Sequence, residues 1–336
     1  MSVTIKDVAK AANVSPSTVS RVVKDSSRIS EETKEKVRKV MAELGYHPNA
    51  IAQGLSNKTT GNIGIMLPRP TEDEFNHPFF SEVLRGISSV LRMHEKDILL
   101  SPAASEVEER RALQRMVLSG KVDGVILLSS QLSDEHIKWL HSIEFPFVVV
   151  GNPTYLGLDG LCWVDNDNVE IGKMMTQHLI NKGYEEIGII TGDLKFTVNI
   201  DRLEGYKQVM EKANKQTNRL YMAQTELGEY GGYNAMLKIL RNGKPSAMVI
   251  VDDLIAIGAM RACHDKGYDI PDDIGIIGVN NISMDQYLTP PLTSVEIYPY
   301  ELGQKATELL LNKMDRGSSY SDHIIIHGKL IERSSC

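Results

Sequence analysis

Apolar residues recur along this chain with two different spacings, and the change falls near residue 60. Before it, Ile5, Val8, Ala9 and Ala12 lie on one face of a helix. Thr4 can cap that helix, with Asp7 three residues on reaching back. Asn13-Val14 breaks the pattern. Ser15 can cap a second helix, and Pro16 takes its first position, where a missing N–H costs nothing. Val19, Val22 and Val23 supply the inner face, leaving Thr18, Ser20 and Arg21 polar on the other side. Ser30 caps a third helix that opens with Glu31 and Glu32, which suit a positive helix N-terminus. Val37, Val40, Met41 and Leu44 line it, and Gly45 stops it.

Beyond residues 57–61, which read as a linker, short apolar runs alternate with longer helical stretches. The runs cover 63–67, 98–100, 122–128, 147–150, 187–190, 248–251 and 274–279. Helical patterns cover 79–94, 107–118, 169–181, 202–212 and 254–265. Continuous strands alternating with helices predict parallel sheets covered on both faces. Ligands in such sheets bind beyond the carboxyl ends of the strands.

Composition narrows the function. A chain of 336 residues, 42% hydrophobic, supports two or three domains. No apolar run approaches the roughly 20 residues of a membrane span, and no signal peptide is evident. Cys162, Cys263 and Cys336 are scattered and odd in number, which argues for a reducing compartment and against a disulfide framework or zinc site. A cytoplasmic protein is expected. Net charge is −7, but residues 1–60 carry ten basic against six acidic side chains, so the head is +4 and the remainder −11. A basic head on an acidic body suits a DNA-binding domain joined to a body that does not bind DNA. No GxGxxG follows a strand, and neither a Walker-type loop nor GxSxG is present, so no enzyme and no cofactor are expected. His323 and His327, four apart in a strand-like DHIIIHGKLIE, would sit about 13 Å apart and not share a metal.

Three short helices with a tight turn between the first two make a helix-turn-helix unit or an ordinary three-helix subdomain. The short polar start of the second helix favours groove entry, with Arg21 one turn later able to bond guanine bidentately. The stretch TIKDVAKAANVSPSTVSRVVK resembles the N-terminal signature of the LacI/GalR family of bacterial repressors, and YHPNAIAQGL resembles that family's hinge. The resemblance implies that Pro16, Ser17 and Arg21 face base edges, and that Ser15, Thr18, Tyr46 and Asn49 hold phosphates. A hinge helix over 50–55, capped by Asn49, is too short to be stable alone and is weakened by Gly54. In the family, paired hinge helices wedge a leucine into the minor groove. Leu55, with Ala52 one turn before it, matches that role, while Gln53 stands where Arg is usual.

For the body the resemblance implies two doubly wound parallel-sheet α/β lobes of periplasmic-binding-protein type, an effector in the cleft between them, and a homodimer. The expected domains are a helix-turn-helix head over 1–46, a hinge and linker over 47–60, and a two-lobed body over 61–336. Crossings near Gly160, Pro290-Pro291 and Ser319 would give one lobe 61–160 and 291–319, and the other 161–290 and 320–336. Strand ends nominate Asn152, Asp252 and Asn280 for the cleft. Arg202, in DRLEGY, resembles the family's R-x-x-G-[FY] arginine, with a helix-start ion pair as the alternative. Phe79 and Phe80, in HPFF, offer faces to a sugar ring or pack in the core. Asp165, in VDND, reads as a helix cap or crossover residue before a ligand contact.

Many sugar-responsive members carry Asp-Asp where this chain has Asn280-Asn281. Asn both donates and accepts, which suits a neutral polyol. The pair resembles that of Gram-positive maltose-operon repressors, implying maltose or a maltodextrin as effector. The expected function is a repressor of double-stranded operator DNA controlled by a sugar. The alternative is a catabolite-control-type regulator with a phosphorylated carrier protein as corepressor, bound on a helix over 298–314 that includes Glu301, Gln304 and Lys305.

Overall fold

The computed structural model describes residues 3–46, 59–68, 77–101 and 105–336. The chain divides into two compact units at Gly61. Asn49, Ala52 and Leu55 of the expected hinge lie outside the described residues.

The first unit is three helices: α1 (Ile5–Ala12), α2 (Pro16–Val23) and α3 (Glu31–Glu43). The Asp7 carboxylate accepts from the Thr4 N–H at 2.9 Å and from its hydroxyl at 2.7 Å. Asn13 turns the chain in the left-handed region at φ 53°. Val8, Ala9, Ala12, Val19, Val22 and Val37 form the core. At roughly 1.5–3 kcal/mol for each fully buried large aliphatic side chain, the four valines dominate the stability of this small unit. Leu44 departs from expectation. It lies past the last residue of α3, is 38% exposed, and takes no part in the core.

The second unit contains two six-stranded sheets among the described residues. Lobe one holds β1 (Asn62–Met66), β2 (Asp97–Leu100), β3 (Gly124–Leu127), β4 (Phe147–Val150), β5 (Trp163–Asn166) and, at its edge, a strand at His323–Ile326. It is covered by α4 (Pro78–Met93), α5 (Glu106–Leu118), α6 (Glu135–Ser142) and a long helix at Pro299–Arg316. Lobe two holds β6 (Ile187–Thr191), β7 (Met222–Gln224), β8 (Ala247–Ile250), β9 (Gly275–Val279), β10 (Thr293–Glu296) and a short strand at Lys329–Ile331. Its helices are α7 (Asn168–Asn181), α8 (Thr197–Lys212), α9 (Glu229–Leu240) and α10 (Asp253–Asp265). In chain order the remaining elements are α11 (Pro299–Arg316), β11 (His323–Ile326) and β12 (Lys329–Ile331). All pairings are parallel except that of β12 with β10.

The chain crosses between lobes three times, each time later than the sequence suggested. β5 pairs with β4 (Val149↔Trp163), so the first crossing follows Asn166 rather than Gly160. β10 pairs with β9, so Pro290-Pro291 leads into a strand of lobe two, and the second crossing follows Glu296. The segment read as one strand, DHIIIHGKLIE, is two strands in different sheets, with the third crossing between Ile326 and Lys329. Asn166 ties the three crossings together. Its Nδ2 donates to the carbonyls of Ile297 at 3.1 Å and Ile326 at 2.8 Å.

Three helix pairs approach closely enough to require glycine. A Cβ on Gly86 of α4 would lie 2.0 Å from the Tyr300 carbonyl of α11. Gly172 and Gly205 play the same part for α7 and α8, and Gly232 and Gly258 for α9 and α10. The α7–α8 pair matters for the cleft, because the backbone that Gly172 admits is that of Arg202.

Candidate functional site

In the first unit, Ser15, Pro16 and Ser17 are exposed at the N-terminus of α2 with Thr18 half-buried beside them, and Arg21 is exposed in its last turn. Ser15 caps the helix, accepting from the Thr18 N–H at 3.1 Å, and its hydroxyl lies 2.7 Å from that of Ser17. This cap holds three short hydroxyl side chains at a helix N-terminus, where backbone N–H groups and the dipole favour phosphate. Tyr46 packs against the head core, half-buried, with its N–H on the Met41 carbonyl. Two of the head's basic groups are neutralised internally. Lys34 pairs with Glu31 and Asp25, and Arg38 pairs with Asp25. Lys34, followed by Arg38, holds the Asp25 carboxyl below its ordinary range.

Between the lobes lies a cavity of about 140 Å³. Phe79 and Phe80 enter it from the first turn of α4, edge to face with ring centroids 5.1 Å apart. Asp165 and Asn166 line it from β5, Ser130 from the loop after β3, and Thr197 and Asn199 from the start of α8. Arg202, Asp252 and Asn280 complete it from lobe two. Asp252 and Asn280 follow the carboxyl ends of β8 and β9, the position such sheets reserve for ligands.

The charges in this wall are matched. Arg202 is buried, with Nε on the Asn168 Oδ1 at 3.0 Å and Nη1 on the Val251 carbonyl at 2.8 Å. It sits inside α8, which begins at Thr197, so the helix-start ion pair is excluded. Burial would raise Asp252, but His77, the Ile255 N–H and Arg202 outweigh it and hold the carboxyl below the ordinary range. Asp165 is pushed up to about 7, chiefly by burial. Its Oδ1 accepts from the Asn166 N–H and the Asn168 side chain, while Oδ2 is buried without a hydrogen-bond partner. Asp165 is thus part of the cavity wall, and the capping of α7 falls to Asp167, which accepts from the Glu170 N–H at 2.9 Å.

One expectation from strand ends does not hold. Asn152 is not among the lining residues. Its Oδ1 accepts from the N–H and hydroxyl of Thr154, and Gly151 takes its place at the cavity. Asn281 points away, donating to Glu296 and accepting from Arg333. Asn280 and Asn281 have φ of 120° and 50°, a backbone region that asparagine tolerates better than most residues. The Asn-Asn pair therefore answers to a turn as well as to ligand chemistry.

The residues that join the lobes carry no local signal in the sequence. His77 of lobe one meets Asp252 of lobe two, Nε2 to Oδ2, at 2.8 Å. Tyr155 donates to Asp201 at 2.5 Å. The Thr197 N–H donates to the Ser130 carbonyl at 3.1 Å, and the Leu132 N–H to the Lys195 carbonyl at 3.0 Å. Nothing in HPFF marks its histidine as cross-lobe, since the partner is 175 residues away. Behind the wall, Asp253 and Asp285 are fully buried. Asp253 accepts from the Ser294 hydroxyl and the Ile282 N–H. On the helix considered for a carrier protein, Glu301 is exposed, while Gln304 and Lys305 are half-buried and Lys305 pairs with Glu308. Among the described residues, no cluster could hold a metal and no helix could cross a membrane.

Residues 4–49 match the family model for bacterial regulatory proteins of the lacI family, and residues 176–336 match that for a periplasmic binding protein-like domain. The HTH-type transcriptional regulator MalR of Streptococcus pneumoniae serotype 4 is 36% identical over 343 residues, covering 99% of this chain and 100% of its own. A transcriptional regulator CelR–cellobiose complex superposes with a TM-score of 0.77 at 27% identity, covering 99% of this chain and 100% of that one. A lac repressor dimer bound to operator and the anti-inducer ONPF gives a TM-score of 0.86, covering 100% of this chain and 99% of that one. At 24% identity this last likeness speaks for the fold alone.

Proposed function

Because this chain belongs to the lacI family of bacterial regulatory proteins, we propose that it represses transcription as a cytoplasmic homodimer whose grip on operator DNA is set by maltose or a maltodextrin in the inter-lobe cleft. It is a DNA-binding transcriptional regulator, not an enzyme. Arg21 reads guanine from the major groove, Pro16 and Ser17 approach base edges, and Ser15, Thr18 and Tyr46 hold phosphates. Asn49 is likewise assigned to a phosphate, and Leu55, with Ala52, to the minor-groove wedge. Two copies are needed, since one α2 offers few readers and half-site pairing doubles the contacts.

The observation that carries the effector reading is the balance of charge in the cleft wall. Arg202 and Asp252 are satisfied by protein groups, and burial pushes the Asp165 carboxyl up to about 7, so its negative charge is only partly formed at neutral pH. Such a wall suits a neutral ligand with many hydroxyls, which can bond the Asp165 Oδ2 while a ring face packs on Phe79. The likeness to MalR favours maltose within that class. A thermal-shift series on the full chain tests this. A ligand of the native state at 100 times its Kd adds about 2.7 kcal/mol, so maltose or maltotriose should raise the melting point and cellobiose should not. A rise with a purine or a sugar phosphate, and none with maltodextrins, contradicts the reading. A shift only with a phosphorylated carrier protein supports the corepressor alternative.

A further inference from the structure

His77 and Asp252 each do two jobs. The buried His77 caps α4 of lobe one, its Nδ1 accepting from the Phe79 N–H at 3.3 Å, while Nε2 lies 2.8 Å from the Asp252 Oδ2. Asp252 caps α10 of lobe two, its Oδ1 accepting from the Leu254 and Ile255 N–H groups at 2.9 and 3.2 Å. The Asp252 Oδ2 also accepts from the Asn280 Nδ2 at 2.8 Å. Because Nδ1 is an acceptor, the imidazole proton sits on Nε2 and is donated to the carboxylate. Two helix N-termini, one from each lobe, are therefore joined cap to cap by one buried hydrogen bond. Both partners line the cleft cavity.

We propose that the His77–Asp252 bond is an inter-lobe latch, with His77 a positioning residue that sets how readily the cleft opens. The latch needs no effector in order to act, so it stands or falls independently of the maltose reading. Opening the cleft breaks a buried hydrogen bond to a charged acceptor, among the costlier bonds to leave unmade.

The geometry offers substitutions that cut the latch and spare the caps. His77→Asn keeps an oxygen for the Phe79 N–H, Asn being a preferred cap, but its side chain is too short to reach Asp252. Asp252→Asn keeps a capping oxygen for α10, but turns an amide NH2 toward donors from His77 and Asn280. The readout lies elsewhere on the lobe junction, at the Leu132 and Thr197 amides that donate across it. In hydrogen–deuterium exchange on the full chain, each substitution should speed exchange at both amides roughly tenfold or more. The double variant should exchange no faster than the singles, and the interiors of α4 and α10 should keep their protection. Nitrogen-15 spectroscopy of the unsubstituted protein should show His77 as the Nε2–H tautomer. Unchanged junction amides, multiplying effects, fraying confined to the two helices or an Nδ1–H tautomer would overturn the proposal. Should His77→Asn fail to fold, Asp252→Asn and the tautomer carry the test.

Discussion

Replacing Asp285 with Asn should make the protein more stable at neutral pH and flatten its loss of stability between mild acid and neutrality. Both carboxylate oxygens of Asp285 are buried without a hydrogen-bond partner. The group lies within the field of Asp253, Asp252 and Arg333. Burial, foremost, pushes Asp285 up to about 6 from an ordinary 3.8, and burial together with Asp285 pushes Asp253 well above its own. A carboxyl raised in the folded state contributes stability that is complete below about pH 3.8 and is lost as pH climbs through 6. At about 1.4 kcal/mol per tenfold change in proton affinity, the full loss is on the order of 3 kcal/mol, of which about 2 kcal/mol falls between pH 4.5 and 7.5. An amide at this position never ionises and can donate to Asp253. Urea denaturation of both proteins, followed by circular dichroism at pH 4.5 and 7.5, measures the difference. The variant should gain on the original by roughly 2 kcal/mol across that interval. A difference that stays constant, or moves in favour of Asp285 as pH rises, refutes the argument.

Three further outcomes follow from the same geometry. Arg21→Ala should weaken binding to a selected operator by about 1–3 kcal/mol and relax preference at one base pair, as read by fluorescence anisotropy on point-substituted duplexes. Gly205→Ala brings a Cβ within 2.1 Å of the Val169 carbonyl. It should cost about 1–3 kcal/mol of stability in calorimetry and blunt the sugar response through Arg202, leaving operator affinity in the absence of sugar near normal. Asn166→Ala leaves the Ile297 and Ile326 carbonyls without their shared donor. It should cost about 1–3 kcal/mol and speed proteolysis at the crossings under native conditions.

The head was largely legible, because each boundary is set by residues one to four apart. Ser15 before Pro16, Ser30 before two glutamates and the apolar face of α1 are local signals that nothing distant overrides. Leu44 failed because periodicity cannot say where a helix leaves its core. In the body, long buried strands and amphipathic helices were visible, whereas β5, β7, β10 and the split of DHIIIHGKLIE were not. These strands are short and partly polar, and they are defined by their partners. Trp163 belongs to lobe one because it pairs beside Val149, which no local pattern encodes. The cleft divides in the same way. Arg202, Phe79, Phe80, Asp252 and Asn280 followed from motif and strand end. His77, Asn166 and Asn199 did not, since their chemistry depends on the other lobe or another crossing. Asn152 shows the opposite error, a polar residue at a strand end whose side chain serves its own turn.

The proposed repressor should hold a particular duplex and release it when a maltose-type sugar enters the cleft. The most direct test is fluorescence anisotropy of the full chain on a duplex enriched from a random library, titrated with maltose at fixed salt. Strong preference for the enriched duplex over a scrambled one is expected, with a fall in affinity of roughly tenfold or more on saturation with maltose, within the usual range of coupling between sites. Equal binding to both duplexes, or preference that no maltodextrin alters, would contradict it.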